Sequence, residues 1–443
     1  MVHFPAPQHE ETHPAHRGAG ADEQMTIGRP VAEDEAACSR ADGGGHLFSS
    51  ETGRPAGQFP SLEQSPVADS RASLRRRDAL RKVHLEITNE CNLDCKMCIR
   101  HAWRETARSM TNKTFSALAA QLREIPTVET VQFGGFGEPT AHAQFLEFLR
   151  TVKEAGWRAE LVTNAVALTA ETLDRLIELP LDQIVVSLDH VSSAGESALH
   201  PEADRVRHNL RELFRRKFLR GAVLPEVAVA FVATAANIDA LPEIKRLALN
   251  LGFSRIVVSN LVPHTADLCE QILYHHWTSA RADGKPSTWN PAIDLPRLDA
   301  WSKASPVIER LQRSGSNLAI LGSRLSGEGL RCRFVTEGRA AIDPDGNVSP
   351  CLALLHDYEY YFRGQRRRIR AYRVGNVNER PLSALWDDAG YARFRQRVLR
   401  WEFSPCIDCG GCDLRESNET DCFGNEFPCC GECLWAAGIV QCP

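Results

Sequence analysis

From about residue 79 onward the hydrophobic pattern alternates between two periods. Six short runs, "VHLEIT" (Val83–Thr88), "VETVQF" (Val128–Phe133), "RAELVT" (Arg158–Thr163), "QIVVSL" (Gln183–Leu188), "EVAVAFVA" (Glu226–Ala233) and "RIVVSNL" (Arg255–Leu261), have the length and branching of strands. Helical period fills the spaces between them. "FLEFLRTVKEAG" puts Phe145, Leu149 and Val152 on one face and stops at Gly156, while "LPEIKRLALNLG" aligns Leu241, Ile244, Leu247, Ala248 and Leu251 and stops at Gly252. Repeated strand–helix–strand units pair in parallel through right-handed crossovers, so six of them predict an α/β fold built as a partial, TIM-like (β/α)6 barrel, not a closed eight-fold one. Functional groups then belong at the C-terminal ends of the strands.

Around this core the composition shifts. Residues 1–78 are rich in Gly, Pro, Ala, His, Asp and Glu and hold few large apolar residues, which predicts a disordered N-terminal extension with Cys38 idle inside it. Residues 79–265 make the predicted barrel, and 266–325, with helical pieces such as "LDAWSKASPVIERLQRSG", read as a connecting or substrate-facing segment. Residues 326–443 crowd ten cysteines into a stretch without long apolar runs, the mark of a small domain stapled by metal. No run of 18 apolar residues and no secretory start occur, so a cytoplasmic protein with no membrane partner is expected. Fifteen cysteines in a reducing compartment point to metal ligands before disulfides, and the lone Cys269 reads as a small buried or surface thiol. A net charge of −5 gives no electrostatic case for nucleic acid.

The chemistry concentrates in "CNLDCKMC", where Cys91, Cys95 and Cys98 follow the first strand at the spacing C-x3-C-x2-C. Three thiolates from one loop can hold three irons of a cubane cluster and leave the fourth iron open to a small molecule. A zinc site completed by His101 is the alternative. This motif at the mouth of a (β/α) barrel resembles the radical S-adenosylmethionine (SAM) superfamily. The resemblance implies that a 4Fe-4S cluster binds SAM through its amino and carboxylate groups, and that one-electron cleavage yields a 5′-deoxyadenosyl radical which abstracts hydrogen from substrate. "FGGFGEP" (Phe133–Pro139) ends the second strand and is similar to the family's Gly-Gly-Glu element, which makes Gly134, Gly135, Gly137 and Glu138 candidates for the methionine end of SAM. Thr163 and Asn164 at the third strand end, and Ser187 and Asp189 at the fourth, match positions that the family uses for the SAM ribose or carboxylate; a helix N-cap is the alternative for Asn164, Ser187 and Asp189. Met97 falls where the family places a bulky residue shielding the cluster and adenine. The fifth strand lacks the family's glycine signature, so no adenine contact is assigned there.

"CRFVTEGRAAIDPDGNVSPC" (Cys332–Cys351), with a hairpin signal at Asp345-Gly346, resembles the opening half of a SPASM domain, and "VGNVNERPLSALW" (Val374–Trp386) its linking stretch. That likeness implies that Cys332 and Cys351 hold part of an auxiliary 4Fe-4S cluster, which Cys406, Cys409, Cys412, Cys422, Cys430, Cys433 and Cys442 complete while building a second one. Two four-ligand clusters leave two of the ten cysteines over, and Cys429 is set aside because it adjoins Cys430. Zinc at the C-x2-C pairs is the alternative. The ending "DCFGNEFPCCGECLWAAGIVQCP" resembles a radical SAM group associated with tungsten-containing oxidoreductases, described as maturases or cofactor-modifying proteins.

The expected function is therefore a radical SAM enzyme that modifies an oxidoreductase, its cofactor or a peptide, with ferredoxin or flavodoxin as reductant. A dehydrogenase, epimerase or decarboxylase of a sugar, nucleoside or other small molecule is a rival within catalysis, and a non-enzymatic iron-sulfur carrier is a rival outside it. No catalytic acid or base is assigned, because in radical chemistry the protein mainly orients the cofactor. His264, His275 and His276 read as packing or surface residues.

Overall fold

The computed structural model describes residues 79–103, 105–189, 202–274, 292–296, 298, 303–313, 317–320, 330–407 and 412–442. The predicted N-terminal extension, Cys38, Cys409, His275 and His276 lie outside these residues. All six strands read from the pattern are present: β1 (Lys82–Leu85), β2 (Thr130–Phe133), β3 (Arg158–Thr163), β4 (Gln183–Ser187), β5 (Glu226–Ala233) and β6 (Arg255–Asn260). They pair in parallel in chain order, with α1 (Asn112–Arg123), α2 (Phe145–Glu154), α3 (Ala170–Glu178), α4 (Ala203–Arg220) and α5 (Leu241–Asn250) in the crossovers. Helix starts follow local chemistry: the Thr111 hydroxyl accepts the Thr114 N–H at 3.1 Å and Thr169 accepts that of Thr172 at 3.2 Å. Gly156 and Gly252 fall just past the ends of α2 and α5 with φ of 82° and 63°, a left-handed conformation that suits glycine. The buried faces of α2 and α5 include Phe145, Leu149 and Val152, and Leu241, Ile244, Leu247 and Ala248, as the periodicity predicts.

The sheet continues beyond six strands at both edges. β7 (Ala292–Leu295) and β8 (Asn317–Ile320), in the stretch read as connecting, add in parallel after β6. Their runs, "AIDL" and "NLAI", are short and hold polar residues, so no strand pattern stands out in the sequence. On the opposite edge β9 (Arg339–Ile342) pairs in parallel with β1, and the Asp345-Gly346 turn returns the chain into antiparallel β10 (Asn347–Ser349). β11 (Tyr358–Phe362) and β12 (Gln365–Ile369) form a separate hairpin, and β13 (Gly375–Asn376) closes the edge of an eleven-stranded sheet. The hairpin's Tyr358, Tyr360 and Phe362 pack with Leu261, Tyr274 and Leu434 in a second apolar cluster. Cys269 is buried and disulfide-bonded, which corrects the expectation of a lone thiol. No described helix is long and apolar enough to cross a membrane.

The junction between β9 and β1 rests on Gly338. Its carbonyl accepts the Arg81 N–H at 2.7 Å, its φ is +64°, and a Cβ there would lie 2.0 Å from the Ala79 carbonyl oxygen. Gly338→Ala is therefore expected to lower the unfolding free energy by about 2 kcal/mol or more. Denaturant unfolding checks this, and a change within the error of the wild-type value would contradict it.

Candidate radical SAM site

The three-cysteine loop hangs from β1 and is closed at its base. Asn89 Oδ1 accepts the Arg108 N–H at 2.7 Å, its Nδ2 donates to the Thr106 carbonyl at 3.0 Å, and the Thr88 hydroxyl donates to the Arg108 carbonyl at 3.0 Å. Within the loop Arg100 Nη2 donates to the Leu93 carbonyl at 2.9 Å, and its Nε lies 3.4 Å from Cys98 Sγ. The Leu93 N–H lies 3.4 Å from Cys91 Sγ. His101, the residue a Cys3His zinc site would recruit, has Nε2 3.1 Å from the Cys95 carbonyl and 3.4 Å from Asp94 Oδ1, and its ring stacks on His264.

Cys91, Cys95 and Cys98 line a cavity of about 340 Å³ at the C-terminal ends of the strands, together with Met97, Gly135, Gly137, Glu138, Asn164, Ser187 and Asp189. Gly134 lies outside this lining; its missing side chain lets Val162 of β3 pack close, since a Cβ would stand 3.1 Å from Val162 Cβ. The freedom of the other glycines also has a different use from the one expected. A Cβ on Gly135, at φ +151°, would stand 2.6 Å from Glu86 Oε1, and one on Gly137 would stand 2.1 Å from the Thr88 carbonyl oxygen. Their bare backbone admits the neighbouring cluster loop. Glu138 is buried at 2% exposure; Oε1 accepts from Thr163 Oγ1 at 2.7 Å and Thr140 Oγ1 at 2.6 Å, and Oε2 from the Asn164 N–H at 2.7 Å. The carboxylate expected to meet the SAM ammonium thus ties the glycine turn to the end of β3. Asn164 donates from Nδ2 to Asn92 Oδ1 at 2.8 Å, reaching the cluster loop, while Thr169 caps α3.

The charges facing the cavity suit a cationic occupant. Burial pushes the Cys95 thiol up to about 12, with Asp189 and the other two thiols adding to the rise. Burial also raises the Asp189 carboxyl to about 7, opposed only in part by the Val232 N–H, which donates to Oδ1 at 2.7 Å. Arg100 is the cation placed among these groups, and the thiols raise its own pKa against the cost of burial. The thiols of Cys91 and Cys95 and the Asp189 carboxyl, held short of ionisation by burial, ionise readily beside iron, an ammonium and a sulfonium. The donor set therefore fits a cluster with SAM, which Cys91, Cys95 and Cys98 could hold, with Asp189 and Ser187 lining the same cavity.

The cysteines of the C-terminal region separate into two neighbourhoods. Cys332, Cys351, Cys430 and Cys433 are half-buried, act electrostatically on one another, and line a second, 70 Å³ cavity to which Cys406 and Cys429 also belong. Burial pushes Cys332 up to about 12, while backbone N–H groups of Val335 and Phe334, and of Ala436 and Trp435, point at Cys332 and Cys433 respectively. Such N–H···S contacts are what an anionic cluster needs around its ligands. Glu432, between the two later cysteines in sequence, takes buried Arg367 and Arg415. Cys429, set aside for adjoining Cys430, interacts with Cys406 and Asp421 as well as with Cys430, and Cys406 also interacts with Cys422. Cys412 is exposed.

Several wall residues were not singled out from the sequence. Phe231 and Val232 from β5, and Ser259 and Asn260 from β6, follow the strand-end rule, which could have found them. Tyr358, Trp435, Gln441 and Cys442 come from the far end of the chain. Asn260 Nδ2 donates to the Ile439 carbonyl at 2.9 Å and the Gln441 N–H to Ser259 Oγ at 3.0 Å, which fixes the tail against β6. Cys442, expected among the auxiliary ligands, interacts with Cys351 and Cys433 and also lines the main cavity, its Sγ accepting the Trp435 indole N–H at 3.1 Å.

Asp189 provides a pH test. Folding raises its pKa from 3.8 to about 7, so the folded chain binds this proton more tightly, and the stability so gained is lost as pH rises through about 7. Before iron is loaded, Asp189→Asn should gain stability relative to wild type by roughly 2–3 kcal/mol between pH 5 and pH 8. Denaturant midpoints at the two pH values measure this; an equal difference at both would contradict it.

Comparison with known proteins agrees with this geometry. The family model of the radical SAM superfamily matches residues 85–222, and that of the SPASM iron-sulfur cluster-binding domain matches residues 332–413. The tungsten-containing aldehyde ferredoxin oxidoreductase cofactor-modifying protein of Pyrococcus furiosus is 32% identical over 372 residues, covering 82% of this chain and 97% of that protein. A PqqA peptide cyclase of Bradyrhizobium diazoefficiens is 26% identical over 79% of this chain and 85% of its own length. Among solved structures, native anSMEcpe with bound AdoMet shares the fold at a TM-score of 0.50 and 15% identity, over 77% of this chain and 92% of its own. With the cysteine loop, the glycine turn and the Cys332–Cys351 pair inside the matched spans, the chain belongs to the radical SAM superfamily: it is an enzyme whose 4Fe-4S cluster binds SAM, followed by a SPASM domain for auxiliary iron-sulfur clusters.

Proposed function

We propose that this enzyme is a maturase that modifies a tungsten-containing oxidoreductase, its cofactor or a peptide precursor. The observation that carries the reading is the likeness to the Pyrococcus furiosus cofactor-modifying protein, which extends over nearly the whole of that protein. When bound, the cluster and SAM supply a carbon-centred radical that abstracts hydrogen. The chain's own part is placement. Cys91, Cys95 and Cys98 hold the iron, and Asn164, Ser187 and Asp189 face it from the ends of β3 and β4. Phe231, Val232, Leu261, Val262 and Val440 give the cavity an apolar lining that keeps water from the reacting centre.

Two auxiliary clusters fit the two cysteine neighbourhoods, one at Cys332, Cys351, Cys430 and Cys433, the other around Cys406, Cys422 and Cys429 with Cys409 and Cys412 nearby in sequence. A small reducing protein of the ferredoxin or flavodoxin class would deliver the electron in the cytoplasm. A peptide substrate is the second reading, supported by the similarity to PqqA peptide cyclases.

Anaerobically reconstituted enzyme with dithionite and SAM is expected to release 5′-deoxyadenosine. Cys98→Ala should reduce that release to background while the iron bound by the C-terminal region persists. Cluster absorbance without nucleoside would instead identify an electron carrier. The substrate is tested by co-expression with a tungsten oxidoreductase or a candidate peptide, followed by mass spectrometry of protein and cofactor; a mass change that requires Cys98 supports the reading. Unchanged oxidoreductase, cofactor and peptide beside active SAM cleavage would move the assignment to a small-molecule substrate.

A further inference from the structure

His356 lies five residues after Cys351 in the SPASM segment, yet its side chain is buried among residues of the barrel. Nε2 stands 2.6 Å from Glu86 Oε2 and Nδ1 stands 3.0 Å from Glu105 Oε2. Side-chain exposure is 1% for both His356 and Glu86. Both ring nitrogens must carry hydrogen to meet two carboxylates, so the ring is an imidazolium. Trp103 stacks on it at 4.1 Å, and Phe136 meets it edge-on at 5.6 Å.

The two carboxylates bracket the catalytic loop. Glu86 precedes Cys91 by five residues, and Glu105 follows Cys98 by seven. Glu86 uses its other oxygen, Oε1, to accept the Phe136 N–H at 2.7 Å, inside the glycine turn on the cavity wall, and Gly135 lacks a side chain where Glu86 passes. Glu105 also pairs with Arg108, which in turn reaches Asp345 in the β9–β10 turn. We infer that His356 is a positioning residue for SAM: the SPASM segment sends it under the catalytic loop, where it joins Glu86 to Glu105 and so sets the glycine turn against which SAM is held.

The energetics favour such a clamp. Burial alone lowers the His356 pKa, but hydrogen bonds and charge from Glu105 and Glu86 outweigh it and hold the group at about 9. The stabilisation is complete below the ordinary value of 6.5 and is lost as pH rises through about 9. The charged groups facing this site are Glu86, Glu105, and Arg108 and Arg373 beside Glu105. Removing one member of a buried charged pair strands its partner, which makes the effect large.

The test measures SAM affinity by equilibrium dialysis on the anaerobically reconstituted full chain, with iron and sulfide counted in each sample. His356→Gln should weaken SAM binding by about tenfold or more at pH 7.5 with iron content retained. Wild-type affinity should fall between pH 8 and pH 10 with a midpoint near 9, His356→Gln should lack that fall, and His356→Lys should recover most of the affinity at pH 7.5. Wild-type affinity in His356→Gln, or pH profiles that superimpose, would overturn the inference. Glu105→Gln provides a second measurement if the histidine variants fail to fold: it should shift the midpoint of the affinity profile to lower pH, and an unshifted midpoint would count against the clamp.

Discussion

β1 is hydrogen-bonded in parallel on both edges, to β2 on one side and to β9 on the other. A four-residue strand contributes little by itself, but flanked on both sides it cannot shift register without moving two neighbours at once. Everything at the catalytic end depends on that fixed register. Val83 and Leu85 enter the core, and the chain leaves β1 through buried Glu86 and Ile87 toward Cys91. Because Cys351, the β11–β12 hairpin and His356 follow β9 closely in the chain, the same pairing helps to deliver them to their places. The SPASM segment is therefore part of the catalytic sheet's own edge.

A second theme is charge held back by burial. Cys91 and Cys95 of the catalytic loop and Cys332, Cys351 and Cys430 of the C-terminal pocket are withdrawn from water enough that their anionic forms are disfavoured, and Asp189 shares that condition. Such groups are poor anions alone and good ligands beside a cation, so the protein stores an affinity that iron and SAM release. The cations already present are few and fixed. Arg100 sits against Cys98, and Arg367 with Arg415 flank Glu432 between two auxiliary cysteines. Each can bias a cluster without ligating it.

The glycine turn shows how a correct motif can carry a different physical cause. Its position at the end of β2 and its place on the cavity wall are legible, because strand ends carry function in parallel α/β folds. The need for glycine arises elsewhere: Gly135 clears Glu86 and Gly137 clears the Thr88 carbonyl, two contacts made by a loop forty to fifty residues earlier. Glu138 likewise satisfies Thr163 and Asn164.

The sequence by itself determined the alternation of strands and helices, the three-cysteine loop after β1 and the Asp345-Gly346 hairpin. These depend on period, turn chemistry and spacing, which act over a few residues and leave their mark in the local pattern. Tertiary structure alone decided that β9 borders β1, that Trp435 to Cys442 wall the catalytic cavity, and that His356 lies between Glu86 and Glu105. Hydrogen bonds among these elements span 179 positions from Asn260 to Ile439 and 270 from Glu86 to His356. Only the closure of the chain brings them together, and nothing in the immediate neighbours of either partner records it.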